Sequence, residues 1–278
     1  MLAPLAAQTH LVLDINPGST GSSGNAVAIL GDRAIFAGFD GSAVNLYSSD
    51  GSAAGTTVIT VLSTGPLFSF PAELVRSGSK VFFAWGVGTG LELWATDGTA
   101  LGTGLVKDIR PGPFGSSAGG FADIDGVVYF SAAEAGANSE LWRSDGTTAG
   151  TWLVKEIHTT PGTGSNPAAF AKLSSSGTFL FAATDATSGR ELWKSDGTAA
   201  GTSLVKDIVP GAGGVNSSNP LFLASLGDRV AFNALGNLWI SDGTDTGTVA
   251  LTSTAPGPRQ LAAQAGYLYF QAWDSLYG

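Results

Sequence analysis

Carboxylates recur at one position of a repeated motif, and recurring acids can bind metals or act as catalytic acids and bases. Five aspartates each precede a glycine and recur every 46 to 51 residues: Asp50, Asp97, Asp145, Asp196 and Asp242. An aspartate before glycine also accepts hydrogen bonds from its own turn, while glycine takes the positive φ that tight turns need. Because one such acid serves every repeat, we interpret all five as structural turn residues without a catalytic or metal role.

The residues that escape the repeat are better candidates for ligand binding. Long loops rich in Gly, Ser, Asn and Pro offer neutral hydroxyls and amides that suit sugar hydroxyls, and a nearby tryptophan offers a flat apolar surface. The loop that begins at Asp185 has oxygen ligands at loop spacing but lacks the acid density of a calcium loop. Calcium therefore stays an alternative there, and no other cofactor is expected. The candidate ligand-binding residues are Trp85, Ser116, Ser117, Asn166, Asn219 and Asp185.

Few residues in the sequence are candidates for a catalytic role. The two histidines, His10 and His158, lie far apart in sequence, and no pattern places either beside a nucleophile. A glycan hydrolase or lyase would need two acids in one pocket. The pool outside the repeated turns is Asp40, Glu73, Asp123, Glu134, Asp185, Asp245 and Asp274. Four of these recur at similar loop positions, which indicates that they are another feature of the repeat.

The composition of the chain limits the classes of partner that it is expected to bind. Acids outnumber bases 22 to 13, which argues against nucleic acid because phosphate neutralisation needs a basic surface. No run approaches the ~18 apolar residues of a membrane span, so membrane insertion is not expected. There is no cysteine, which excludes disulfides and thiolate metal sites. We expect a monomeric domain.

The elements that position these residues are short strands in a fixed cycle. Each repeat holds four, which we call A, B, C and D, bounded by Gly, Asp or Ser. Strand B is apolar throughout and should be buried on both faces, whereas strand D mixes Lys and Asp with apolar residues as an outer strand would. This gradient predicts an all-β, six-bladed β-propeller of four-stranded antiparallel blades in a single domain, residues 1–278. The predicted blades are 25–62, 71–109, 119–157, 168–208, 221–254, and 259–278 with 9–15.

The two ends of the chain complement each other. Thr9–Ile15 aligns with a lone strand D, and Ser275–Gly278 aligns with a strand C that stops before its Asp-Gly turn. The N-terminal strand is therefore predicted to close the last blade, which would remove free sheet edges. The apolar start, residues 1–8, fits either the tail of a secretory signal or an ordinary chain start.

The fullest motif copies carry a family resemblance. Glu92–Ile109, Glu140–Ile157 and Glu191–Ile208 share Glu-Leu-Trp, Asp-Gly-Thr and a Val-Lys-acid-Ile end. This string resembles the ELWxxDGT repeat of large secreted or surface-anchored bacterial proteins. Tyr47 and Ser52 depart from the pattern in the first copy. The resemblance implies a propeller fold and a secreted or cell-surface location, and it brings no catalytic residues to transfer.

Three functions remain open from the sequence. The favoured one is an extracellular, non-enzymatic recognition or scaffold module that binds a neutral ligand such as a glycan, or another surface polymer, through loops on one propeller face. The alternatives are a propeller-based polysaccharide hydrolase or lyase, and a structural spacer of a larger surface protein. The motif tryptophans are expected in the core between blades, and the motif glutamates Glu92, Glu140 and Glu191 are expected to face a neighbouring strand or solvent.

Overall fold

A computed structural model describes residues 11–17, 21–22, 24, 26–64, 70–86, 90–134, 139–174, 176–211, 216–251 and 257–271. These residues form 22 β-strands and no helix. Within those ranges, accordingly, no helix is long and apolar enough to cross a membrane.

The first three sheets follow one another along the chain. Sheet 1 contains β1 (Val27–Leu30), β2 (Arg33–Phe39), β3 (Ala43–Ser49) and β4 (Thr57–Thr64). Sheet 2 contains β5 (Val75–Ser77), β6 (Lys80–Trp85), β7 (Glu92–Thr96) and β8 (Gly104–Lys107). Sheet 3 contains β9 (Gly119–Ile124), β10 (Val127–Ala133), β11 (Ser139–Ser144) and β12 (Trp152–Lys155).

The remaining sheets repeat the plan. Sheet 4 contains β13 (Ala168–Lys172), β14 (Phe179–Asp185), β15 (Gly189–Ser195) and β16 (Ser203–Lys206). Sheet 5 contains β17 (Leu221–Leu226), β18 (Arg229–Ala234), β19 (Asn237–Ser241) and β20 (Val249–Ala250). Sheet 6 contains β21 (Arg259–Gln264) and β22 (Tyr267–Gln271).

Each four-stranded sheet is an antiparallel meander whose strands pair in chain order. The two inner strands are the most deeply buried: β3 buries all seven of its residues, and β10 and β14, whose apolar sequences predict burial, each bury five of seven. The first strands of successive sheets contact one another, so they line a common axis while the fourth strands lie outside. This is the arrangement of a β-propeller.

The core lies between sheets rather than within one. Four apolar clusters join sheet 1 to 2, 2 to 3, 3 to 4 and 4 to 5. The motif tryptophans lie in these clusters or pack against them, at the position expected between blades: Trp94, Trp142, Trp193 and Trp239.

Lysines on the fourth strands add polar links between neighbouring sheets. The Nζ of Lys107 donates to the Thr151 carbonyl at 2.7 Å, and that of Lys155 donates to the Thr202 carbonyl at 2.6 Å. Each acceptor lies at the end of the next sheet's Asp-Gly turn. The mixed polarity of strand D therefore reflects contact with the following sheet as well as contact with water.

Sheet 6 shows two strands, β21 and β22, in the part of the chain that the structure describes. The predicted pairing of Thr9–Ile15 with Ser275–Gly278 falls largely outside that part, since residues 1–10 and 272–278 are not described. The all-β propeller arrangement is therefore observed in sheets 1 to 5, and closure of the sixth blade stays a prediction.

Candidate functional site

The five turn aspartates occupy equivalent hydrogen-bonded turns. In the turn of Asp145, its Oδ1 accepts the backbone N–H of Thr147 at 2.8 Å and the Thr147 hydroxyl at 2.7 Å. The Thr147 hydroxyl oxygen in turn accepts the N–H of Gly150 at 2.9 Å. The same bonds recur around Asp50, Asp97, Asp196 and Asp242, with Ser52 in place of threonine in the first turn.

The second glycine of this turn lies directly against the carboxylate. A Cβ added to Gly150 would lie 2.0 Å from Asp145 Oδ1, and the corresponding glycines of the other turns are equally close to their aspartates. The hydrogen bond from the Thr147 hydroxyl, with a further one from the Thr147 N–H, holds the pKa of the Asp145 carboxyl below its usual value, although desolvation raises it. The aspartate and this glycine thus form one structural unit.

Gly150→Ala is expected to lower the free energy of unfolding by about 1–3 kcal/mol, because the added methyl group forces the carboxylate out of its turn. Gly177→Ala is the matched control, since a Cβ there meets nothing within 4 Å. Urea unfolding of both variants measures the difference. Equal stability of the two would contradict the turn geometry.

The motif glutamates are buried, which corrects the expectation that they might face solvent. Glu140 is 3% exposed. Its carboxylate accepts the N–H of Ile157 at 2.8 Å, the N–H of Ser165 at 3.1 Å and the hydroxyl of Ser165 at 2.6 Å. His158 also donates its N–H to this carboxylate, at 3.3 Å. Glu92 and Glu191 make the corresponding bonds to Ser116 and Ser218. Each glutamate therefore ties the end of its own sheet to the loop that enters the next sheet.

Ser116 is accordingly not a ligand-binding residue, contrary to the sequence prediction. The residue is fully buried, and its hydroxyl donates to Glu92 Oε2 at 2.7 Å. A serine committed to a buried carboxylate has no hydroxyl to offer a sugar. The recurrence of serine in these loops has this structural cause.

The surroundings of Glu191 shift the pKa of its carboxyl. Burial raises the pKa of the Glu191 carboxyl, and the charge of Asp207 raises it further, while hydrogen bonds from Ser218 and Ile208 lower it. A carboxyl whose folded pKa exceeds its unfolded value contributes stability in full below the unfolded pKa, about 4.3. That contribution is lost as the pH rises through the folded pKa.

Glutamine does not titrate, so Glu191→Gln removes this pH dependence. The difference in free energy of unfolding between wild type and variant is therefore expected to narrow as the pH rises from 4 to 8, because the wild type loses stability over that range. Urea unfolding at the two pH values measures the gap. Glu156→Gln, at an exposed position, serves as the control. A gap for Glu191→Gln that is constant or widens with pH would contradict the raised pKa.

Trp85 is a core residue, which corrects its prediction as a sugar platform. It is 3% exposed and packs in the cluster between sheets 1 and 2 with Leu62 and Phe83. Its position at the end of β6 matches Ala132 and Ala183 in later sheets, both of which are buried. A larger side chain at that position fills the interface rather than reaching a ligand.

Ser117, Asn166 and Asn219 are exposed, and each adopts a positive φ, of 52°, 46° and 48°. Their N–H groups donate to the carbonyls of Leu91, Ser139 and Arg190. Asparagine tolerates this conformation better than most residues, which is a structural reason for its presence. The side chains nevertheless face water, so these three positions combine a turn role with an available polar group.

The Asp185 carboxylate accepts hydrogen bonds from its own loop. Its Oδ1 accepts the N–H groups of Thr187 at 2.9 Å and Ser188 at 2.5 Å. Asp40 accepts equivalent bonds from Ser42 and Ala43, so the recurrence of these acids is a turn device. Within the described ranges, no group of three His, Cys, Asp or Glu side chains could hold a metal ion.

A repeated bulge places dissimilar side chains at one position around the axis. In sheets 3 to 6 the pairing of the first strand shifts register near its start. The bulge residues all have positive φ and differ chemically: Gly120, Ala169, Phe222 and Gln260. Phe222 is 41% exposed. We call these four residues with Ser117, Asn166 and Asn219 the axial mouth, because they lie at the starts of the axis-lining strands.

Sequence reasoning missed Phe222 because Leu221-Phe222-Leu223 reads as an ordinary apolar strand. An available signal was the pair of large apolar residues at the start of this strand A, where sheets 3 and 4 have Gly119-Gly120 and Ala168-Ala169.

Solved structures with the same fold are distant in sequence. A prolyl endopeptidase structure matches with a TM-score of 0.57 and 12% identity, covering 96% of this chain and 41% of that chain. A puromycin hydrolase structure matches with a TM-score of 0.53 and 16% identity, covering 86% of this chain and 40% of that chain. No protein-family model and no curated protein matches the sequence. The chain thus spans about two fifths of these neighbours, which are propeller proteins, and the likeness shows that it has the β-propeller fold.

Proposed function

We propose that this chain is a non-enzymatic recognition module that binds a glycan at the axial mouth. One observation carries the proposal. The backbone of the bulge is repeated from sheet to sheet, whereas its side chains range from Gly120 to Phe222 and Gln260. A fold that required particular side chains there would repeat them, as it repeats the turn aspartates. Dissimilar side chains on a repeated frame are typical of a surface that determines specificity.

The chemistry of the mouth suits sugars. The ring of Phe222 offers an apolar face of the kind on which sugar rings stack, and it follows Asn219 by three residues. The Nδ2 of Asn219 donates to the Ser217 carbonyl at 3.3 Å, which leaves its Oδ1 to accept a hydrogen bond. Asn166 is held in the same way by the Gly164 carbonyl at 3.1 Å. Neutral amides beside an aromatic ring favour hydroxyl-rich ligands.

Two features support a non-enzymatic role. The motif acids are engaged in the fold: Glu92, Glu140 and Glu191 bind loop serines, and the turn aspartates bind their own turns. The two loop acids Asp40 and Asp185 also bind their own loops. A hydrolase or lyase would need acids free to exchange protons with a substrate.

Phe222→Ala tests the site. On a glycan array, wild-type protein is expected to bind at least one glycan, and Phe222→Ala to weaken that binding about tenfold or more through loss of stacking. Leu105→Ala is the control, because Leu105 is similarly exposed, at 48%, on the outer strand β8. Absence of binding to any glycan would favour the spacer function, and turnover of a polysaccharide would favour the enzyme.

We also propose that the propeller is closed and six-bladed. The residue at the end of strand D packs against the end of strand B in the next sheet, as Leu62 does with Trp85 and Ile109 does with Ala132. Ile15 has the same relation to sheet 1: a Cβ added to Gly38 would lie 2.6 Å from Ile15 Cδ1. This contact supports a role for the N-terminal segment as strand D of sheet 6.

The exposure of sheet 6 supports the same proposal. Tyr269 is 57% exposed, whereas Tyr129 at the equivalent position of β10 is 5% exposed. Two further strands and contact with sheet 1 would cover this surface. A secreted or cell-surface location, which the ELWxxDGT resemblance implies, completes the proposal.

A further inference from the structure

Arg190 lies beside the axial mouth, and its backbone is held on both sides. It is the second residue of β15, where its N–H donates to the Ser217 hydroxyl at 2.9 Å. Its carbonyl accepts the N–H of Asn219 at 3.2 Å. Its guanidinium Nη1 donates to the Asn166 carbonyl at 2.8 Å. Arg190 therefore contacts both asparagines of the mouth, Asn219 through its backbone carbonyl and Asn166 through its side chain.

No acid neutralises this guanidinium among the described residues. The three ion pairs there join Arg33 to Asp50, Lys172 to Asp125 and Lys206 to Asp245. The segments outside that part of the chain contain one acid, Asp274. The acids closest in sequence to Arg190 are committed elsewhere, Asp185 to its own loop and Glu191 to Ser218. Burial lowers the pKa of Arg190, with no neighbouring acid opposing it.

The fold itself does not require an arginine here. The equivalent residues Leu91, Ser139 and Gly236 accept the same backbone hydrogen bond from the following loop without a cation. Arg190 is thus a feature of sheet 4 alone, like the bulge side chains of the mouth. A half-buried, unneutralised arginine in a chain of net charge −9 needs an explanation other than architecture.

We propose that Arg190 binds the carboxylate of an acidic sugar, so that the ligand of the axial mouth is a glycan containing uronic acid. The inference rests on the proposed glycan-binding function and narrows it. With Nη1 engaged by Asn166, the edge formed by Nε and Nη2 remains, and this edge fits a planar carboxylate with two hydrogen bonds. A single cation balances a single negative charge, and the net charge of −9 opposes a polyanion. Phe222 and Asn219 then contact the ring and hydroxyls of the same sugar.

Matched oligosaccharides test this inference by titration calorimetry. Oligosaccharides that each contain one galacturonic, glucuronic or mannuronic acid residue among neutral sugars are compared with their methyl esters, which keep the hydroxyls and lose the charge. Wild-type protein is expected to bind one of the acids about 10- to 100-fold tighter than its ester, as expected for hydrogen bonds to a charged group. Arg190→Gln is expected to bring that ratio close to one, and Arg190→Lys to give an intermediate ratio, because lysine keeps the charge without the fork.

Arg229→Gln is the charge-matched control, since Arg229 is exposed at the start of β18, away from the mouth. It should retain the wild-type ratio, and melting curves of all variants confirm folding. Equal binding of acid and ester would overturn the inference and leave glycan recognition standing. Tighter binding of a sulfated sugar or an acidic peptide would also overturn it. Failure to bind any glycan, neutral or acidic, would overturn both the inference and the proposed function.

Discussion

Glu140→Ala is expected to lower the free energy of unfolding by about 3–5 kcal/mol. The variant removes a buried carboxylate and leaves the N–H groups of Ile157 and Ser165 without an acceptor, while the Ser165 hydroxyl keeps only the Ser139 carbonyl at 3.3 Å. Each buried donor left unpaired costs about 1–3 kcal/mol, and the lost bonds are to a charged group. The loop entering sheet 4 should loosen as well, because this carboxylate joins it to sheet 3.

The matched control is Glu156→Ala, one strand away in the same sheet. Glu156 is exposed, so its removal should change stability by no more than about 0.5 kcal/mol. Chemical denaturation of the two variants separates the buried glutamate from the exposed one. If they were equally stable, the glutamate would not be the link between sheets that its hydrogen bonds indicate.

A disulfide placed across the predicted sixth blade is expected to have the second large effect on stability. In sheet 3, Leu141 pairs with Lys155, and alignment of the repeats predicts that Leu276 pairs with Leu13 in the sixth blade. A Leu13→Cys/Leu276→Cys variant is therefore expected to form a disulfide, since paired strands bring Cα atoms within the 4.4–6.8 Å that disulfides span. Closing so long a loop should stabilise the protein by about 2–5 kcal/mol.

The chain has no cysteine of its own, so no competing disulfide can form. Val12→Cys/Leu276→Cys is the control, because a shift of one residue directs the two side chains to opposite faces of the sheet. Thiol titration and melting under oxidising and reducing conditions measure the result. Disulfide formation at equal rates in both variants, or in neither, would argue against the predicted register.

The strands were predictable because each repeat presents the same local signals. Short apolar runs and Asp-Gly turns indicate the strands and turns within a few positions, and the burial of β10 and β14 follows from their apolar sequence. Glu140 was harder, because its partner Ser165 is 25 residues away and only the packing of consecutive sheets brings them together. The recurrence of both residues at similar separations was the one available signal.

Trp85 and Phe222 show why the proposed binding residues were not predictable. Both are aromatic and both lie near loops, yet the neighbouring sheet covers Trp85 and leaves Phe222 exposed. Whether a side chain at the end of a sheet is exposed depends on the sheet packed against it. The periodicity of residues within one strand carries no information about that neighbouring sheet. Alignment of Trp85 with Gly38, Ala132 and Ala183 marked a core position, whereas Phe222 follows a register shift that no local pattern shows.

We propose that the repeated residues build the fold and that the unrepeated residues of the axial mouth bind the ligand. Paired melting and glycan-affinity measurements on Asp145→Ala and on the mouth variant Phe222→Ala test it most directly. The turn variant should lose about 0.5–2 kcal/mol of stability and keep its affinity, whereas the mouth variant should melt as wild type and lose binding. The opposite pattern, with binding lost in the turn variant at unchanged melting temperature and retained in the mouth variant, would contradict the account.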